Sequence, residues 1–340
     1  MEKDNEQTKT QMIQPAVSVL IPVYNAEKYI AECLNSLLNQ SMPNWQAICV
    51  DDGSTDNSLH ILQQYHNRDN RIEVVHLAQN QGLAHARNQA LQRAKGKYIS
   101  FLDSDDWFAT DALQQAVDMF ESYPKTDSVL FDCVYVYPDV EKSFLMPQFD
   151  VMTGYEAFEK SLTWQIHGVY IVRADIHFKY PYDESARTYS DENTTRLHYI
   201  ASREVRKCSG IYYYRQHSAS VTHVVGAQRF DYAIANQSMK QMLLDINAPK
   251  HIVDEYENLR WINIIGLLRY IFINGKQLSG DDIKHGYDIL HHAWMSVETD
   301  RLFAKNKWKL GYMPMKWSWK AFLLQTRTYF ILRAIKEKIF

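Results

Sequence analysis

Three times in the first hundred residues, an unbroken apolar run leads into a stretch whose apolar side chains return every three or four positions. VSVLIPVYN (17–25) precedes AEKYIAECLNSLLNQ, where Tyr29, Ile30, Cys33, Leu34, Leu37 and Leu38 share a helical face. QAICVDDGSTD (46–56) precedes NSLHILQQYH, with Ser54 to Asp56 able to cap that helix, and IEVVHLA (72–78) precedes GLAHARNQALQRAKG, expected to end at Gly96. A fourth strand opens KYISFLDSDDW (97–107). Strands apolar on both faces and joined by short helical crossovers predict a parallel sheet covered on both sides and wound right-handedly. The ends of the first, second and fourth strands should then share one rim, where open α/β sheets bind ligands.

That rim is acidic. Asp103, Asp105 and Asp106 close the fourth strand within four residues, and carboxylates so crowded repel unless a cation or proton lies between them. One reading is a divalent metal, with hard oxygen ligands favouring Mg2+ or Mn2+ bridging to nucleotide phosphates. The other is a helix cap, with Asp106 capping a helix that opens near Thr110 and Asp111.

Four motifs in order, IPVYN (21–25), VDDGSTD (50–56), NQGLAHARNQAL (80–91) and FLDSDDW (101–107), resemble the family 2 glycosyltransferases of the glycosyltransferase A fold. The likeness runs from about Val17 to Thr222 and is of the bacterial cell-surface polysaccharide type. It implies a Rossmann-like, mostly parallel sheet with helices on both faces, and transfer of a sugar from a nucleotide-sugar donor with inversion. Pro22, Val23 and Tyr24 would wall the base, while Asp52, or alternatively Asp51, would accept from a uracil ring nitrogen, favouring a UDP-sugar. Gly82 and Arg87 would lie near the diphosphate, although Arg87 could instead pair with Asp52 or Asp103. Asp103 and Ser104 would meet the nucleotide, and Asp103 and Asp105 the Mn2+ or Mg2+ ion.

Inversion needs a base opposite the leaving diphosphate. In YDESARTYSDENTTRLHYI, Ser190 stands where the family has Glu, and Asp191 occupies the base position with Glu192 beside it; both acids also suit the first turn of a helix. Downstream, IYYYRQHSASVTH could bring Arg215 to the diphosphate and His217 or His223 to the metal. Trp164 and His167 fall where acceptor-facing residues are expected, although a Trp alone reads as core.

Composition bounds the rest. The 340 residues are 46% hydrophobic, enough for a full core, and the four scattered cysteines have no metal spacing and should be reduced. Residues 1–14 read as a flexible polar tail without a signal or anchor, 15–225 as the nucleotide-sugar-binding and catalytic unit, and 226–340 as a helical region. A cytoplasmic location is therefore expected. Residues 305–340 hold nine basic residues and one acidic, a net +8, against −3 for the whole chain and −11 for residues 1–304. Interleaved Trp308, Trp317, Trp319, Phe322 and Phe330 make this segment a candidate for an anionic membrane surface, or alternatively the core of a helical domain. The acidic remainder argues against nucleic acid. ExxRW at 257–261 lacks the Gln of processive relatives, and no run of about 18 apolar residues could span a bilayer, which favours a nonprocessive enzyme. The acceptor would be a hydroxyl of a glycan or lipid-linked saccharide. Two other classes compete: a sugar nucleotidyltransferase, which would need a Gly-rich loop after the first strand that IPVYNAEKY lacks, and a noncatalytic sugar-binding module, which would not need Asp103, Asp105 and Asp191 together.

Overall fold

The structure is a computed structural model that describes residues 14–217 and 224–339. Strand β1 (Val17–Val23) is buried along its whole length and pairs in parallel with β2 (Trp45–Asp51) on one side and β4 (Tyr98–Phe101) on the other. β3 (Ile72–His76) adds in parallel outside β2. Burial on both faces explains the unbroken apolar run: Val17, Val19, Ile21 and Val23 point into the core under α1 (Ile30–Leu38), while Leu20 packs with Ile48, Val50 and Ile99 under α3 (Leu83–Leu91). Each such side chain contributes about 1.5–3 kcal/mol. Helix α2 (Ser58–Arg68) connects β2 to β3.

Two boundaries differ from the sequence expectation. Helix α3 stops at Leu91, five residues before Gly96. Gly96 lies in the following turn, donates its N–H to Ser18 Oγ at 2.8 Å, and a Cβ there would stand 2.4 Å from the Ser18 nitrogen. Its selection reflects close backbone approach to β1, not helix capping. Likewise Asp106 caps no helix: α4 (Ala112–Ser122) has Asp111 at its N-cap, and a short strand β5 (Trp107–Phe108) intervenes.

Beyond β4 the sheet becomes mixed. The remaining strands are β6 (Thr126–Val136), β7 (Glu141–Ser143), β8 (Tyr170–Arg173) and β9 (Glu204–Arg215), and the order is β3-β2-β1-β4-β8-β6-β9-β5, with β7 on β6. β8 is antiparallel to both neighbours, β6 and β9 are parallel, and β5 is antiparallel to β9. Helices α5 (Gly154–Leu162), α6 (Ala174–Lys179) and α7 (Asp191–Ala201) complete this half.

The chain then becomes helical, with α8 (Asp231–Asp245), α9 (Lys250–Asn274), α10 (Gly280–Ser296), α11 (Ala304–Lys307) and α12 (Trp319–Ile339). Trp261, Trp294, Phe322 and Phe330 form its core. A separate cluster joins Phe158 and Leu197 to Met239, Leu243, Ile252 and Tyr256, seating α8 and α9 against α5 and α7. The aromatic tail is divided: Phe322 and Phe330 are buried in the helical core, whereas Trp308 and Trp317 stay 71% and 78% exposed. Among the described residues no helix is long and apolar enough to cross a membrane.

Buried histidines pin α6 and α7 to the sheet. His198 donates from Nε2 to the Tyr180 carbonyl at 2.7 Å and accepts at Nδ1 from the Tyr170 hydroxyl at 2.6 Å, which defines a neutral ring. Burial pushes His198 and His167 down to about 4, and lowers His177 well below its usual range, helped by His198 and Arg87. Unfolded imidazoles take a proton below about 6.5, whereas these folded ones stay neutral to lower pH. Stability is therefore full above pH 6.5 and lost as pH falls toward 4, by about 2 kcal/mol per histidine at pH 5. Urea midpoints should drop steeply between pH 6.5 and 4.5, and His177→Phe should flatten that slope; an unchanged slope in the variant would contradict the assignment.

Candidate active site

The rim of the parallel half is stitched from backbone and side chains of three motifs. After β1, Asn25 donates its N–H to Ser54 Oγ at 3.0 Å and accepts from Thr55 N at 2.8 Å, tying IPVYN to VDDGSTD. Gly53 makes the intervening turn at φ +71°, where a Cβ would meet the Gln79 backbone at 2.8 Å. Pro22 and Val23 are buried beneath this rim and Tyr24 is exposed on it. Asp52 is buried, and its two oxygens accept from the N–H groups of Gln81 and Gly82, both at 2.8 Å. The carboxylate thus shapes the loop that precedes α3. Asp51 is buried too, bonded through Oδ2 to His76 Nδ1 at 2.7 Å, with Oδ1 left without a partner.

The acidic cluster sits in the turn between β4 and β5, and β9 holds that turn from the other side. Asp106 accepts from the Tyr212 hydroxyl at 2.7 Å and from the Arg215 backbone N–H at 2.8 Å. Burial, then the charges of Asp103 and Asp105, raises its carboxyl well above the usual range. Asp105 is raised as well, first by burial and then by Asp103, and its Oδ2 meets His217 Nε2 at 2.8 Å. His217 stacks on Tyr29 at 5.2 Å, and its Nδ1 is buried without a partner. Ser104 is half-buried in the same turn. Arg215 lies over Trp107 at 4.5 Å and donates to the Asp105 carbonyl and to Glu32. His223 lies outside the described residues.

Across the rim, Arg87 is the hub. Its buried guanidinium donates to Asp103 Oδ1 at 2.6 Å, approaches Asp191 Oδ2 at 3.4 Å, and lies over Phe101 at 4.3 Å. Of the alternatives open from sequence, the ion pair to Asp103 is the one formed. Asp103 and Asp191 each keep about a third of their side chain exposed, at 33% and 34%. Both open onto a cleft whose wall also contains Trp164, His167, Tyr135, Tyr214 and Thr195. Asp191 occupies the first turn of α7 behind Ser190, whose hydroxyl turns away to the Ala186 carbonyl. Glu192 also lines the cleft, but is paired with Arg196 at 2.9 Å and accepts from the Tyr232 hydroxyl at 3.1 Å. Burial raises its carboxyl.

Sequence reasoning missed Tyr212, Tyr135 and Tyr214. The period of two in IYYYR places Tyr212 and Tyr214 on one face of β9, which is a legible signal, but nothing local tells which face meets the acidic turn.

Oxygen and imidazole donors of the kind a hard divalent ion takes lie at the turn. Asp105 and His217 are paired there, Asp103 of the same turn is bonded to Arg87, and burial first, then the charge of Asp103, raises the Asp105 carboxyl. Among the described residues, no group of three or more His, Cys, Asp or Glu is placed to hold a metal by itself.

A parallel β-α half whose strand ends carry an acidic turn, continued by a mixed half, is the glycosyltransferase A architecture. The Staphylococcus aureus TarS fragment 1–349, solved in complex with UDP-GlcNAc, superimposes with a TM-score of 0.68 at 22% identity over 84% of this chain and 82% of that one. Residues 18–180 match the family described as Glycosyl transferase family 2. TuaG of Bacillus subtilis strain 168, provisionally named a glycosyltransferase of teichuronic acid biosynthesis, is 51% identical over 105 residues, 31% of this chain and 42% of TuaG. EpsH of the same organism, provisionally named a glycosyltransferase, is 42% identical over 132 residues, 39% of this chain and 38% of EpsH. The chain thus spans about two fifths of the length of these relatives.

Removing the hub should be costly. Arg87→Ala leaves Asp103 and Asp191 uncompensated beside a cavity and is expected to destabilise by about 3 kcal/mol in urea unfolding. Arg87→Lys, with a point charge and no planar fork, should recover only part. A loss below about 1 kcal/mol in the alanine variant would show that the bridge holds nothing together.

Proposed function

We propose that this chain is an inverting, nonprocessive glycosyltransferase that moves a sugar from a UDP-sugar to a hydroxyl of a glycan or lipid-linked saccharide in surface polysaccharide synthesis. The observation that carries this reading is the Arg87 bridge, which puts a donor-side carboxylate and a base candidate from different halves of the fold at one cleft. Pro22, Val23 and Tyr24 border the base, and Asp52 accepts from the uracil directly or sets the Gly82 loop that receives the nucleotide. Asp103 and Ser104 face the donor. The UDP-GlcNAc complex of the TarS neighbour supports a uridine diphosphate donor.

Asp105, with Asp103 and His217, would hold Mn2+ or Mg2+, whose chemistry is to offset charge on the leaving diphosphate. Asp191 takes the acceptor proton. Its one-third exposure suits it, whereas Glu192 is committed to Arg196 and Tyr232. Trp164 and His167 border the acceptor. In this reading residues 15–225 bind donor and acceptor, and residues 226–340 support α7 and face a membrane from the cytoplasmic side.

Incubation with UDP-sugars and Mn2+ should release UDP, whereas pyrophosphate would indicate a nucleotidyltransferase. Asp191→Asn is expected to lower transfer about 10²–10⁴-fold with the UDP dissociation constant unchanged. Full activity in that variant would remove Asp191 from the reaction.

Peripheral membrane contact is favoured by the exposed indoles of Trp308 and Trp317 and the exposed Leu324, Leu332 and Ile335 of a segment with net charge +8. Full-length protein should sediment with vesicles containing anionic lipid and not with zwitterionic ones. Paired Trp308→Ala and Trp317→Ala changes should reduce the bound fraction severalfold, and equal binding to both vesicle types would refute the contact.

A further inference from the structure

We infer that the acceptor group entering this cleft is an uncharged sugar, and not the phosphate-bearing unit of a polyol-phosphate chain; the inference rests on the glycosyltransferase reading above. Asp103, Asp191 and Glu192 line the cleft against two guanidiniums, Arg87 and Arg196, while Asp106, also in the wall, is buried and bonded to Tyr212 and the Arg215 backbone. Both guanidiniums are already spent. Arg87 has 2% of its side chain exposed and is paired with Asp103 and Asp191, and Arg196 has 4% exposed and is paired with Glu192. Among the described lining residues no cation is free for an acceptor phosphate, a metal held on the donor side by Asp103 and Asp105 would be engaged by the donor diphosphate, and an acceptor phosphate would face the Asp191 carboxylate.

The imidazole in the wall does not change that balance. His167 is 4% exposed, its Nδ1 accepts from the Val169 N–H, and burial holds it down to about 4, so it carries no charge at neutral pH. What the cleft offers instead is aromatic surface. Trp164, at φ +56°, holds its ring half in solvent at the mouth, and Tyr135 and Tyr214 stand 5.5 Å apart, centre to centre, in the wall. Ring faces of this kind bury the C–H face of a pyranose, and the hydroxyls of Tyr and Thr195 can hydrogen-bond its polar edge. Neither needs a charged ligand.

The test uses the full chain with UDP and Mn2+ present, titrated by calorimetry with a panel of neutral hexose and N-acetylhexosamine methyl glycosides and, separately, with a ribitol-phosphate trimer. A neutral glycoside should bind at least tenfold more tightly than the trimer, and its affinity should hold between 50 and 300 mM salt. Trp164→Ala should weaken that binding at least fivefold, Trp164→Phe should restore part of it, and the UDP dissociation constant serves as the internal reference. Equal or tighter binding of the trimer, no binding of any neutral glycoside, or an unchanged affinity in Trp164→Ala would each overturn the inference. Release of UDP from a UDP-sugar into water, measured in parallel, separates the two failures. If UDP is released but the phosphate trimer is preferred, only the acceptor class falls. If no UDP is bound or released, the transferase reading falls with it.

Discussion

One buried guanidinium organises the site. Arg87 enters from α3 in the parallel half, stacks on Phe101 of β4, and spends its charge on Asp103 at 2.6 Å and Asp191 at 3.4 Å. A buried cation with no acidic partner would be prohibitive, and two carboxylates converging without one would repel. Each of the three groups is therefore tolerable only with the others in place. Because Asp191 belongs to α7, a hundred residues further along the chain, the pair also reports that both halves of the fold have closed correctly.

A second clamp acts on the other flank of the acidic turn. Asp106 is fastened to Tyr212 and to the Arg215 backbone, so the turn after β4 is fixed by β9 and cannot splay. The helical region extends the same logic outward. Tyr232 bonds Glu192, Thr188 bonds Asp231, and Asn193 donates to the Ala235 carbonyl, so α8 braces the turn that presents Asp191. Glu192, the neighbouring acid, is consumed by that bracing together with Arg196. Two adjacent acids at one helix start thus have separate fates, set by their partners: Asp191 keeps a third of its side chain open to the cleft, and Glu192 is held by Arg196 and Tyr232.

Much of the parallel half was legible because its signals are local. Strands buried on both faces must be continuously apolar, helices must repeat near 3.6, and the acidic turn must follow a strand. The misreadings have a common origin. Sequence proximity alone places Gly96 and Asp106 at helix ends, yet Gly96 answers to β1, some eighty residues earlier, and Asp106 to β9, a hundred residues later. Arg215 likewise finds its partners far away in the chain, in Trp107, Glu32 and the Asp105 carbonyl. The aromatic tail could not be divided by pattern alone, since Phe322 and Trp317 differ only in what packs against them.

The sequence by itself determined the strand-helix alternation, the acidic rim and the family resemblance, because periodicity and short motifs are properties of neighbouring residues. Tertiary structure alone decided the partners: that Arg87 serves Asp103 and Asp191, that Asp106 is a strut, that Glu192 is spent on Arg196, and that Trp164, Tyr135 and Tyr214 share one cleft. These are pairings between charges and rings far apart in the chain. Burial sets their strength, and burial exists only once the two halves of the sheet have met.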